Sequence, residues 1–226
     1  MKTMVMGDVH GKFGGLNTFI SKHNPDIILQ AGDFGYWPKE FNKTYLDNTG
    51  RIRTWNSKIK NPRTEIYWCD GNHEDFDALN NRITDELWPN VFYQKRGSVR
   101  MLQDGRNVLF MGGAFSIDGK YRTPGYDWFP EDEKINQRDI MNLPDVDIDI
   151  VISHTAPNEF IINDDRIMER EIKDASRDAL SVVLDKYRPK FWWFGHFHHY
   201  QKGLFRDCKW TALGDLGGSY RYFEMI

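Results

Sequence analysis

Three times in its first 74 residues the chain runs through a short apolar stretch and stops at aspartate and glycine: "TMVMGD" (3–8), "IILQAGD" (27–33) and "EIYWCDGN" (65–72). Uninterrupted apolar runs of this length suit strands buried on both faces, as in a parallel sheet. Between the first two, "GGLNTFISKHN" carries apolar residues at helical spacing, so the opening reads as a βαβ unit. The third run leads into "DFDALNNRI", a helix start with Asp75 or Asp77 as its cap. All three strands finish in polar tips, and in α/β sheets the carboxyl ends of strands are where functional groups collect.

Farther on the pattern changes. From Val91 to Ala114 the runs "VFYQ", "VRML" and "NVLFMGGA" are short and separated by "KRGS" and "QDGR", which predicts antiparallel strands joined by hairpins. "DIDIVISH" is another buried strand, "DASRDALSVVLDKY" an amphipathic helix, and "KFWWFGHFHH" an aromatic strand ending in histidines. "LFRD", "KWTALGD" and "SYRYFEMI" read as further antiparallel strands. βα units mixed with hairpins predict an α/β (α+β mixed) fold, a four-layer αββα sandwich of two mixed β-sheets flanked by helices. "GAFSIDGKYRTPGYDWFPEDE" reads as a long functional loop. In "NDDRIMEREIKDASRD", Ile167, Met168, Ile172 and Ala175 recur at helical intervals amid charge of both signs, the pattern of a solvated helix face.

No composition break or linker divides the 226 residues, so residues 1–226 are expected to form a single domain. A hydrophobic fraction of 40% supplies a core and excludes a disordered chain. The net charge of −3 gives no global basic field, so binding to long nucleic acid is not indicated. The two cysteines, Cys69 and Cys208, form neither a disulfide framework nor a zinc-thiolate knuckle, which suits a reducing cytoplasm. The apolar run in "MKTMVMGDVHG" is too short for a signal peptide or a membrane span, so no membrane association is expected.

Five of the seven histidines, His10, His73, His154, His196 and His198, fall at or just past strand ends, together with Asp8, Asp33 and Asn72; His23 and His199 do not join them. A single histidine near a strand end is usually structural. An ordered set of imidazoles and carboxylates is a different matter, because these donors suit Mn, Fe, Zn, Co or Ni, whereas Mg prefers oxygen alone. If "GHFH" is extended, residues two apart share a face, so His196 and His198 look into one site while Phe197 turns into the core and His199 points away. Gly7, Gly11, Gly32, Gly71 and Gly195 flank these residues where the backbone has to turn sharply.

In order the set runs "GDVHG" (7–11), "AGD" (31–33), "DGNHE" (70–74), "SH" (153–154) and "GHFH" (195–198). This resembles the five motifs of the calcineurin-like metallophosphoesterase superfamily. The resemblance implies a hydrolase acting on phosphoric ester bonds, with two divalent cations as cofactors, Mn foremost and Fe, Zn, Co or Ni as alternatives. By the same resemblance Asp8, His10, Asp33 and His198 hold one metal, and Asp33, Asn72, His154 and His196 the other, with Asp33 as the bridge. A bridging hydroxide then attacks phosphorus, and His73 assists the leaving group as a catalytic residue.

The second motif departs from one branch of that superfamily. Protein serine/threonine phosphatases continue it as GDxxDRG, where the Asp orients the catalytic His and the Arg grips phosphate. Here the text is "GDFGYW", with Tyr36 and Trp37 in those places. The phosphate-clamping arginine must come from elsewhere, and Arg122 in "GKYRTPGYDW" is the candidate for substrate binding. Tyr36, Trp37, Tyr121, Tyr126 and Trp128 either stack on a base or pack the loop.

A missing clamp favours diesters or small nucleotides, because a diester carries one fewer charge. The partner expected is thus a phosphate-ester substrate, a mono- or diester, with a nucleotide or small diester to the fore. The competing readings are a protein-phosphatase-like phosphomonoesterase and a non-catalytic metal-binding scaffold of the same fold.

Overall fold

The computed structural model describes residues 1–40, 43–46, 52–54, 59–60, 63–163 and 174–226. One six-stranded sheet is formed by β1 (Thr3–Met6), β2 (Ile27–Gln30), β5 (Glu65–Trp68), β6 (Glu86–Trp88), β7 (Val91–Tyr93) and β14 (Phe223–Met225), in the order β14-β1-β2-β5-β7-β6. A second contains β8 (Ser98–Met101), β9 (Asn107–Met111), β10 (Ile150–Ser153), β11 (Phe191–Phe194), β12 (Gln201–Phe205) and β13 (Cys208–Ala212), in the order β12-β13-β11-β10-β9-β8. β3 (Thr44–Leu46) and β4 (Ile52–Thr54) pair by themselves. Both large sheets follow one plan: four parallel strands in the middle and one antiparallel strand on each edge.

Alternation along the strands sorts the apolar side chains into three cores. Met4, Met6, Ile28, Ile66 and Trp68 face outward from the first sheet onto Phe13, Leu16, Phe19 and Ile20 of α1 (Phe13–His23). Their neighbours Val5, Ile27, Leu29 and Tyr67 face the other way, onto Val108, Phe110, Ile150, Ile152 and Trp193 of the second sheet. The opposite face of the second sheet, with Leu109, Met111, Val151, Trp192 and Phe194, packs on Leu180, Val183 and Leu184 of the last helix, Ala175–Tyr187. Helix, sheet, sheet and helix make four layers, the αββα sandwich expected, because the central parallel strands are apolar on both faces.

Two local expectations need correction. Residues 91–114 are not one hairpin-linked antiparallel run: β7 lies parallel to β5 in the first sheet, whereas β8 and β9 form a hairpin in the second. Short alternating runs look alike whichever sheet they join, so the crossing at "KRGS" leaves no periodic signal. The helix start expected after "DGNHE" is present as the short α2 (Phe76–Asn80), capped by Asp75, whose side chain accepts from the Ala78 N–H at 3.2 Å. The segment "GHFH" is not extended, since β11 stops at Phe194 and His196 and His198 have φ of +66° and +49°.

The long loop follows β9, crosses a 3-10 turn at Gly119–Tyr121 and reaches α3 (Gln137–Met141). The helix face assigned to Ile167, Met168 and Ile172 lies outside the described residues; Ala175 is the first residue of α4, Ala175–Tyr187.

Candidate metal centre

Asp8 and His10 follow β1, Asp33 follows β2, Asn72 and His73 follow β5, His154 follows β10, and His196 and His198 follow β11. The parallel strands of the two sheets thus deliver all eight residues to the same edge of the sandwich. Four of them, His10, Asp33, His196 and His198, have left-handed backbones, half of the eight such non-glycine residues among those described. L-residues avoid that region, and its concentration here marks turns that the surroundings enforce to aim side chains.

One donor atom from each of Asp8, His10, Asp33 and His198 lies within 4.8 Å of the others. His10 Nε2 and His198 Nε2 face each other at 2.9 Å, and His198 Nε2 is 2.9 Å from Asp8 Oδ2. Asp8 Oδ2 is sealed from solvent and has no hydrogen-bond partner. Ring nitrogens pointing at one another beside an orphaned carboxylate oxygen are donors converging on a shared point, which fits a cation.

The remaining residues form a second cluster against the first. His154 Nε2 is 3.0 Å from Asn72 Oδ1 and 3.3 Å from Asp33 Oδ1, and the His154 and His196 rings meet edge to face at 5.0 Å. His154 Nδ1 donates to the Ala31 carbonyl at 2.8 Å, which fixes the ring and leaves Nε2 to face the cluster. Asp33 serves both groups, with Oδ1 toward His154 and Oδ2 3.7 Å from His10 Nδ1.

Charge in the two clusters is held by protons. Burial opposes ionisation of His10 and His154, but the nearby Asp8 carboxylate for His10, and the Asp33 charge for His154, outweigh it and raise them to about 9 and about 10. Burial likewise opposes charge on Asp8 and Asp33, yet the neighbouring imidazoles hold both below the usual carboxylate range. His196, partly desolvated and beside a charged His154, falls to about 3 and stays neutral. Cations entering such a site would take the place of the protons on His10 and His154.

His73 stands on the open side with its backbone clamped at both ends. Its N–H donates to Asp33 Oδ1 at 2.8 Å, and its carbonyl accepts from Trp37 Nε1 at 2.8 Å. The ring meets His10 edge to face at 5.6 Å, and Nε2 lies 3.7 Å from Asp118 Oδ2. Burial lowers its pKa from the ordinary value, against an upward pull from Asp33. His199 instead packs on Tyr220, with ring centroids 4.6 Å apart.

Arg122 reaches the centre, donating from Nη1 to the Asn72 carbonyl at 3.1 Å. Tyr36 and Trp37, in the places where a phosphatase keeps Asp and Arg, are packed residues. Tyr36 lies edge-on to Trp88, and Trp37 joins the core around α1. Trp128 is spent on Glu133, to which its indole donates at 3.1 Å, whereas Tyr121 and Tyr126 are exposed.

Several supporting residues escaped the reading of the sequence. Glu74, fully buried, accepts from the N–H groups of Phe34, Gly35 and Tyr36, the nearest at 2.6 Å, and so shapes the turn that follows Asp33. Burial and the Asp33 charge raise it to about 8. Asp70, at the head of "DGNHE", is buried in a pair with Arg96, 2.6 Å from its Nη2. Ser116 takes a hydrogen bond from the Asn72 amide. The only signal for Glu74 was its place in "DGNHE"; Ser116 and Asp118 stand in an irregular loop with none.

A buried donor set at the strand ends of an αββα sandwich is the mark of a metal-centred class of proteins. A model of the calcineurin-like phosphoesterases matches residues 1–200, and the chain belongs to that family. It is 25% identical over 230 residues to a lariat debranching enzyme of Schizosaccharomyces pombe, covering 88% of this chain and 48% of the relative, so the chain spans about half that relative's length. Among solved structures it resembles a phosphopantetheinyl hydrolase from Mycobacterium tuberculosis, with TM-score 0.56, 13% identity and coverage of 100% and 95% of the two chains. It also resembles a protein of Thermus thermophilus, with TM-score 0.55, 12% identity and coverage of 100% and 97%. These structural likenesses speak for the fold. Among the described residues no helix is long and apolar enough to cross a membrane.

Proposed function

We propose that this chain is a metal-dependent phosphoesterase, carried by one domain over residues 1–226, that hydrolyses phosphate mono- or diesters with nucleotides or small diesters foremost. The observation that carries the reading is Asp33, whose two carboxylate oxygens face two separate donor clusters while its Oδ1 also holds the backbone of His73. Asp8, His10, Asp33 and His198 would hold one divalent cation, and Asp33, Asn72, His154 and His196 a second, with manganese first among the candidates. When bound, the two ions would withdraw charge from the phosphoryl oxygens and lower the pKa of an attacking water.

The chain's own part is positioning and proton transfer. His73, fixed at its N–H and its carbonyl, presents an imidazole to the open side, where its protonated form would give a proton to the departing ester oxygen as that oxygen gains charge, leaving a neutral ring. The aromatic approach of β11 and the Ala31 carbonyl hold the second cluster rigid, so little reorganisation is needed when charge develops. A relative named for debranching lariats cuts at a branch, and this supports an ester that joins two groups, a diester.

The test is hydrolysis of p-nitrophenyl phosphate and its bis ester by protein supplied with Mn, beside an Asp33→Asn variant. Turnover that collapses in the variant is expected. Equal activity in both proteins would remove the mechanism.

A further inference from the structure

Arg122 is gripped by carboxylates. Its Nη2 lies 3.2 Å from Asp118 Oδ1 and 3.6 Å from Glu133 Oε2 and also donates to Ser116 Oγ, while Nη1 donates to the carbonyls of Asn72 at 3.1 Å and Asp127 at 3.0 Å. Its one nitrogen without a partner, Nε, is sealed from solvent. The guanidinium expected to clamp phosphate therefore has its donors occupied by the protein. Asp118 is in the opposite position: its side chain is 41% exposed, with Oδ2 3.7 Å from His73 Nε2. A phosphoryl group touching His73 would meet a carboxylate about one imidazole's width away, where a second negative charge calls for a cation.

We propose that Asp118 is a specificity-determining residue that selects monoanionic phosphodiesters over dianionic phosphomonoesters, by its own charge beside His73 and by engaging the Arg122 guanidinium. This deepens the phosphoesterase reading above and rests on it. A diester carries one negative charge, whereas a monoester approaches two above its second ionisation near pH 6. Repulsion of one additional unit charge across several ångströms at a protein surface changes a rate by about tenfold. Specificity of this kind comes from an element that repels the wrong ligand. A residue that only oriented His73 would affect both esters alike, so the ratio of the two activities is the informative quantity.

The experiment measures kcat/KM for p-nitrophenyl phosphate and bis-p-nitrophenyl phosphate at about pH 8, where the monoester is dianionic, in Mn-supplemented wild type, Asp118→Asn and Asp118→Glu. Thermal unfolding of each variant checks that the fold is kept. The expected result is a monoester-to-diester ratio raised about tenfold in Asp118→Asn and left at the wild-type value in Asp118→Glu, which keeps the charge. An unchanged ratio in Asp118→Asn, or an equal fall for both esters, would overturn the inference while leaving the phosphoesterase reading intact. If metal-loaded wild type cleaves neither ester, that reading itself fails and the inference falls with it.

Discussion

The side-chain amide of Asn72 donates to Ser116 Oγ at 3.0 Å, which turns its Oδ1 toward His154 Nε2 at the same distance. An asparagine can present nitrogen or oxygen to a cation, and only the oxygen binds one. Ser116 therefore fixes which end of Asn72 faces the second cluster, from a loop that belongs to neither sheet's motif. Ser116→Ala is expected to weaken binding of one of two Mn ions by about tenfold, the lower end of the effect of losing a group that orients a ligand. Calorimetric titration with Mn resolves the two sites; two unchanged affinities would show that Ser116 does not orient the amide.

The protons in the site make stability depend on pH in a definite sense. His10 and His154 are raised from 6.5 to about 9 and about 10, so in cation-free protein their contribution is complete below 6.5 and is lost as pH rises through those values. His196 is lowered to about 3, so its contribution is complete above 6.5 and is lost as pH falls toward 3. Both contributions are whole only near about pH 6.5. Thermal unfolding of chelator-treated protein should give a Tm that falls on the alkaline side of about pH 6.5. Mn-loaded protein should not show that alkaline fall, because cations replace the protons on His10 and His154. A stripped protein with constant Tm from about pH 6.5 to 9.5 would contradict the assigned proton positions.

Much of the layout was legible because strands buried on both faces announce themselves as apolar runs, and the polar residues that end them stand out by contrast. Asp8, Asp33, Asn72, His154 and His196 were found in this way. What pairs with what was less legible. β7 and β8 are separated by "KRGS" yet enter different sheets, a choice made by packing partners far along the chain. The pairing of His196 with His198 was anticipated from strand alternation, but left-handed turns at both residues do the aiming, and such turns at histidine have no sequence mark. Ser116 and Asp118 reach the site only because the loop after β9 folds back, so no periodicity foretold them.

Gly195 and Gly71 show how tightly the chain packs around Asp8 and Asp33. A Cβ on Gly195 would overlap Asp8 Oδ1, and one on Gly71 would overlap Asp33 Oδ1 and the Asp33 amide nitrogen. Asp8 Oδ1 already accepts from the His196 N–H at 3.0 Å and Asp33 Oδ1 from the His73 N–H at 2.8 Å, so neither carboxylate can retreat without losing a partner and leaving its donor cluster. Neither glycine has a positive φ, so the demand is for space alone. Gly105 offers the contrast: its φ of +85° strains any side chain, yet a Cβ there meets nothing within 4 Å. Gly105→Ala should cost about 1–2 kcal/mol of stability and leave Mn affinity unchanged. Gly71→Ala and Gly195→Ala should each lower Mn affinity by about tenfold or more, as expected when a ligand is displaced. Urea unfolding separates the two effects from titration of the metal. Mn affinity retained in either of the last two variants would mean that the carboxylates are free to shift and that the close packing of the motifs is not what holds the site.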